Sequence, residues 1–137
     1  MDIGQPTIVF VTVCTKDRIP WLASPIVHES LVTIWRNAAA WTVGEYVVMP
    51  EHVHFFCAPN DVNVTLRAWV TYWKRSYTRL KVPGSGEWQR DCWDTRLRRS
   101  ENYADKWAYV QANPVRKGLV SHVEDWPYRG RLNVLPW

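Results

Sequence analysis

A chain of 137 residues with 17 Lys and Arg against 13 Asp and Glu carries a formal net charge of +4, a balance that favours polyanionic partners. Its three cysteines, Cys14, Cys57 and Cys92, are widely spaced and never form a Cys-x-x-Cys pair, which excludes a disulfide framework and a zinc-finger pattern and suits a reducing cytoplasm. No apolar run approaches the ~18 residues of a membrane span, and the N-terminal stretch has an acidic Asp2 and no basic region, so neither export nor membrane insertion is expected.

In chain order, TIVFVTVCT (7–15) is β-branched and alternating and reads as a strand. SPIVHESLVTIWRNAAAW (24–41) opens with Ser24 as N-cap and Pro25 at the first helical position, then repeats apolar residues at helical spacing. EYVVM and HVHFFCA are two short strands around Pro50 and Glu51, a hairpin or one bulged ribbon. VTLRAWVTYWKRSYTRLK (64–81) puts Leu66, Trp69, Val70, Trp73, Tyr77 and Leu80 on one helical face and leaves Arg67, Lys74, Arg75, Arg79 and Lys81 largely outside it. WQRDCWDTRLRR (88–99) reads as a fourth strand carrying Arg96, Arg98 and Arg99, and Ser100 caps a last helix, ENYADKWAYVQAN.

No repeat, low-complexity tract or long linker divides this order, so one domain over residues 1–137 is expected. The order β-α-β-β-α-β-α predicts an α+β fold: a small antiparallel sheet with packed helices, of ferredoxin-like type. Ten tryptophans supply core anchors or platforms for unpaired bases, with most of them expected in the core.

Two features carry chemistry. His52 and His54 flank Val53 in VVMPEHVHFFCAPN, and in a strand they share one face, where two imidazoles can hold a metal ion. In the last helix Tyr103, Trp107 and Val110 define the buried stripe, whereas Tyr109 is turned roughly 200° from Trp107, onto the polar side with Asn102, Asp105 and Asn113. Asn113 follows Tyr109 by four residues and would share its surface if the helix persists, although Pro114 disfavours the α conformation at Asn113 and makes it the expected end of the helix.

The segments YVVMPEHVHFFCAPN, WQRDCWDTRLRRSENY, YVQANPVRKGLV and DWPYRG together resemble the single-tyrosine HUH transposases, in particular the REP-associated tyrosine transposases of bacteria. The resemblance runs from about Thr7 to Tyr128 and implies the HUH endonuclease fold. It also implies His52 and His54 as ligands of Mg²⁺ or Mn²⁺, Asn113 as third ligand, and Tyr109 as the nucleophile that forms a 5′-phosphotyrosine intermediate. The implied substrate is single-stranded DNA beside a hairpin such as a repetitive extragenic palindrome. Arg67, Lys74, Arg75, Arg79, Arg96, Arg98 and Arg99 are expected to track the DNA backbone. A bacterial cytoplasmic, nucleoid-associated enzyme is expected, as monomer or homodimer.

Two rival readings stand beside it. A non-catalytic relative would grip hairpin DNA with the same basic face, but has no use for His52, His54, Tyr109 and Asn113 together. A His-x-His metallohydrolase would need further His or Asp ligands, which His28 and His122 are poorly placed to supply.

Overall fold

The computed structural model describes residues 7–97 and 100–136. Its five-stranded antiparallel sheet has the order β4-β1-β3-β2-β5. The strands are β1 (Ile8–Thr15), β2 (Trp41–Val48), β3 (His52–Pro59), β4 (Trp88–Leu97) and β5 (Arg129–Arg131). The helices are α1 (Pro25–Asn37), α2 (Leu66–Leu80), α3 (Ser100–Gln111) and the short α4 (Asn113–Arg116). This is the α+β architecture the sequence predicts, with one strand and one helical turn added. No helix among the described residues is long and apolar enough to cross a membrane.

Helices cover both faces of the sheet. On one, Val9, Val11, Val13, Val53 and Phe55 pack with Trp35 of α1 and Trp69, Trp73 and Tyr77 of α2. On the other, Ile8, Phe10, Phe56 and Ala58 meet Tyr103, Trp107 and Val110 of α3 and Trp126 beyond it. β1 is therefore apolar on both sides, which is why IVFVTVCT carries so few polar residues. Of the nine tryptophans described, Trp35, Trp41, Trp69, Trp73 and Trp126 are buried and Trp21, Trp88 and Trp107 half-buried; only Trp93 is exposed.

The first two helices are both capped, α1 by the expected Ser24. Ser24 Oγ accepts from the Val27 N–H with Pro25 at the start of α1, and Thr65 Oγ1 accepts from the Ala68 N–H at the start of α2. The Ser100 side chain lies outside the described residues. α1 ends at Asn37 rather than continuing to 41, because Trp41 is claimed by the sheet: it pairs with Pro59, and its indole N–H donates to Val64 O at 2.9 Å. Tertiary pairing overrides the helix propensity of the alanines. A bulge in β2 falls at Gly44, where a Cβ would lie 2.8 Å from the Leu135 side chain. Only glycine leaves room for the C-terminal segment to lie against β2.

Two residues of α2 depart from the expected stripe. Leu80 is exposed, at the end of the helix where Lys81 turns into the left-handed region at φ 51°. Lys74, expected on the outer basic face, is buried. Its ammonium donates to Gln89 O at 2.8 Å and Arg90 O at 3.0 Å, bolting α2 to the start of β4, and burial lowers its pKa. Lys74→Met keeps the stem and removes both donors, leaving two carbonyls short of partners. An unfolding free energy lowered by about 1–3 kcal/mol in a urea titration is expected; an unchanged midpoint would show the tie to be idle.

Candidate active site

The alternation of β3 sends His52, His54 and Phe56 toward α3 while Val53 and Phe55 enter the opposite core. The two imidazoles stand edge to face with centroids 4.4 Å apart. Each is held at Nδ1. Glu51 Oε1 lies 2.8 Å from His52 Nδ1, and since a carboxylate only accepts, His52 donates and keeps its Nε2 lone pair. Thr12 Oγ1 of the adjoining β1 lies 2.8 Å from His54 Nδ1, and the Phe10 ring stacks on His54 at 5.2 Å. The tautomer in which His54 donates to Thr12 leaves its Nε2 free in the same sense.

Both rings are held neutral. Burial lowers the His52 pKa, although the Glu51 carboxylate opposes it. For His54, burial together with the charges of His52, Lys106, Arg116 and Arg18 brings the pKa down to about 3. A neutral imidazole is the form that ligates a metal. Among the described residues no group of three or more His, Cys, Asp or Glu could hold an ion. A donor set here consists of the two imidazoles and an amide, with water to complete it, a mixed nitrogen and oxygen set compatible with Mn²⁺ or Mg²⁺.

That amide is Asn113. Its Nδ2 lies 3.3 Å from His52 Nε2 in a buried contact, so the C-terminal end of the α3 region reaches the histidines. The expectation that Pro114 makes Asn113 a helix terminus is corrected. α3 gives way at Ala112, but the Arg116 and Lys117 N–H groups bond back to Ala112 O and Asn113 O. Asn113 thus opens a new helical turn, with Pro114 at an early position where its missing N–H costs nothing.

Tyr109 stands one turn before Asn113 and is 65% exposed. Tyr103, by contrast, is half-buried and stacks on Phe56 with centroids 4.2 Å apart, as the helical phase requires. The guanidinium of Arg116 lies 3.8 Å from the Tyr109 ring centroid and donates to Tyr109 O at 2.6 Å. Arg116 therefore touches Tyr109 and acts electrostatically on His54 at once, and Lys106, whose ammonium lies 5.0 Å from the Phe10 ring centroid, adds a second cation.

Tyr109, Lys106, Asn102 and Asp105 of α3 line a groove with Thr95, Arg96 and Leu97 of β4. Among the described residues, Arg96 is the expected DNA-binding residue that lines this groove, although its pairing with Val9 turns its side chain toward the α2 face of the sheet. Arg67, Arg75 and Arg79 line a separate groove between α2 and β4, on the sheet face away from the histidines, and Arg67 approaches Asp91 at 3.5 Å. Lys74 lines that groove too, but its ammonium is held by two carbonyls of β4. Arg98 and Arg99 lie outside the described residues.

Four neighbours escaped the sequence reading: Thr12, Glu51, Lys106 and Arg116. Arg116 had a signal, seven residues after Tyr109 and so on the same helical face, but Pro114 concealed it. Glu51 is adjacent to His52 in the sequence. Thr12 and Lys106 become visible only when β1 pairs with β3 and α3 crosses the sheet.

No family model matches the chain. A Haemophilus influenzae protein assigned to the REP-associated tyrosine transposases is 28% identical over 93% of this chain and 81% of its own length. The REP-associated tyrosine transposase of Escherichia coli is 30% identical over 87% of this chain and 73% of its own length. Among solved structures, that of a REP-associated tyrosine transposase bound to a REP hairpin superposes with a TM-score of 0.74 at 22% identity, covering 94% of this chain and 79% of that one. A Deinococcus radiodurans protein described as a transposase gives a TM-score of 0.50 at 20% identity over 81% of this chain and 96% of its own. These two structural likenesses speak to the fold.

Proposed function

Because the chain belongs to the REP-associated tyrosine transposases, we propose that it is a metal-dependent enzyme that nicks and rejoins single-stranded DNA beside a hairpin, through a covalent 5′-phosphotyrosine. The observation that carries this reading is the exposed Tyr109 one helical turn before Asn113, with the Asn113 amide against the buried His52 and the half-buried His54 beside it, both imidazoles held toward the neutral form.

In this reading Tyr109 Oη forms the new bond to phosphorus, the bond from phosphorus to the 3′ oxygen breaks, and that oxygen leaves as a 3′-OH after gaining a proton. The tyrosine proton passes to water or a substrate oxygen. A 3′-OH from the same or another strand reverses the step, so joining needs no external energy source. Nε2 of His52, Nε2 of His54 and, with its amide turned so that the oxygen replaces the nitrogen facing His52, Asn113 would hold a divalent ion. When bound, that ion supplies charge neutralisation at the scissile phosphate. Glu51 and Thr12 fix the ring orientations from behind, and Arg116 and Lys106 add fixed positive charge where the phosphate would sit. Phe10 and Phe56 keep the floor of the site apolar, which strengthens each of these interactions.

The substrate is proposed to be hairpin DNA with an unpaired flank, its backbone followed by Arg96 and by the arginines of α2. Incubation with such an oligonucleotide and Mn²⁺ should yield a protein–DNA adduct that survives a denaturing gel and is absent with chelator. Binding should weaken steeply with salt and favour the flanked hairpin over a fully paired duplex of the same sequence. Binding to the flanked hairpin with no adduct under any divalent ion would favour the non-catalytic reading. Equal affinity for both DNA forms would count against either.

A further inference from the structure

Building on that function, we infer that Trp93 is the platform on which an unpaired base of the flank stacks as the strand enters the site. Trp93 departs from the rule the other described tryptophans follow, since the residue is 51% exposed and an indole left in water forgoes its packing energy.

The sheet register places it. Thr12 of β1 is paired with His54 on one side and with Trp93 on the other. Residues directly opposite in antiparallel strands point to the same face, so His54, Thr12 and Trp93 stand abreast on the side where α3 lies. At about 4.8 Å per strand spacing, the Trp93 backbone is roughly 10 Å from that of His54. β4 is an edge strand, so no further strand flanks the ring. α3 shields the central strands, with Lys106 over Phe10 and Tyr103 over Phe56, and leaves the indole uncovered. Trp93 lies two residues before Thr95, on the same face of β4, and Thr95 lines the groove with Tyr109, so a strand that follows this groove beyond Tyr109 would run past the ring.

The chemistry suits an unpaired base. Every base has a π-face, stacking on an aromatic ring requires no particular hydrogen-bonding edge, and a paired base has its faces already occupied by neighbours. Lys106, which lines the groove with Tyr109, supplies the charge for the adjoining phosphate. Trp93 would then favour the unpaired flank over duplex with little dependence on base identity.

The test measures binding, in Tyr109→Phe protein so that no covalent capture intervenes. Fluorescence anisotropy gives the affinity for a flanked hairpin and for a set of copies in which one abasic nucleotide is moved along the flank. Trp93→Ala should weaken binding about tenfold and Trp93→Phe less than about threefold. One abasic position should weaken binding by the Trp93 protein yet add nothing to the Trp93→Ala loss. An unchanged affinity in Trp93→Ala, or a loss equal at every abasic position and for a hairpin without a flank, overturns this role alone. Absence of binding by the Trp93 protein itself would overturn the role and the proposed function together.

Discussion

Tyr109→Phe is expected to abolish the protein–DNA adduct, a fall of roughly 10⁴-fold or more, the scale on which loss of a covalent nucleophile acts. The substitution keeps the ring, so its contact with the Arg116 guanidinium survives, and it deletes only the oxygen that attacks phosphorus. Because the side chain is largely in solvent, the unfolding midpoint and the hairpin affinity should stay where they are. Tyr103→Phe is the matched control, since its ring sits on Phe56 in the core, and it should leave the adduct in place. The other tyrosines offer few substitutes. Tyr77 is buried with its hydroxyl 2.6 Å from Ser85 Oγ, Tyr46 is buried against His28, and Tyr128 packs among His28 and Trp126. Tyr72 is exposed, but it belongs to α2 on the far side of the sheet. Peptide mapping of the adduct therefore has a sharp outcome: DNA attached at Tyr72, or an adduct that persists in Tyr109→Phe, refutes the assignment.

His52→Ala and His54→Ala form the second large effect. Each removes a proposed ligand along with a buried or half-buried ring, so divalent-ion-dependent cleavage should fall at least about 100-fold, more than the loss typical of an outer-sphere partner. Mn²⁺ binding followed by calorimetry should be lost in parallel. Hairpin affinity should change little, because the arginines that meet the backbone lie on α2 and β4. Undiminished cleavage in the double variant would remove the histidines from the mechanism. Weakened hairpin binding of the same size as the cleavage loss would instead place them in substrate recognition.

Much of this was legible in local periodicity. The two-residue period of β3 puts both histidines on one face, and the helical phase separates Tyr109 from Tyr103; both arguments need only the neighbouring residues. What local periods could not carry was decided by contacts between distant segments. Alanines before Trp41 favour helix, yet Trp41 joins β2 because Pro59 and Val64 receive it. Lys74 falls beside a basic face by sequence, yet two carbonyls of β4 draw its ammonium inward. β5 has only the residues Arg129, Gly130 and Arg131, too short for an alternation to show, and it exists because β2 presents an edge for it. The junction at Pro114 misled for another reason. Proline ends a helix from its interior but opens one at its first turn, and the sequence alone does not say which side of a break it occupies.

The two margins of the sheet are unequal. β5 covers the outer edge of β2 through pairings of Glu45, Tyr46 and Val47, Leu132 and Asn133 bond to Gly44 and Val43 of the same strand, and the Trp126 indole caps Val48 O. Among the described residues β4 has no such cover, and its exposed Arg90, Asp91, Asp94 and Arg96 set charges of both signs along that margin, the usual guard against stray pairing. The three residues of β5 thus replace the eight-residue edge of β2 with a margin too short to template another strand.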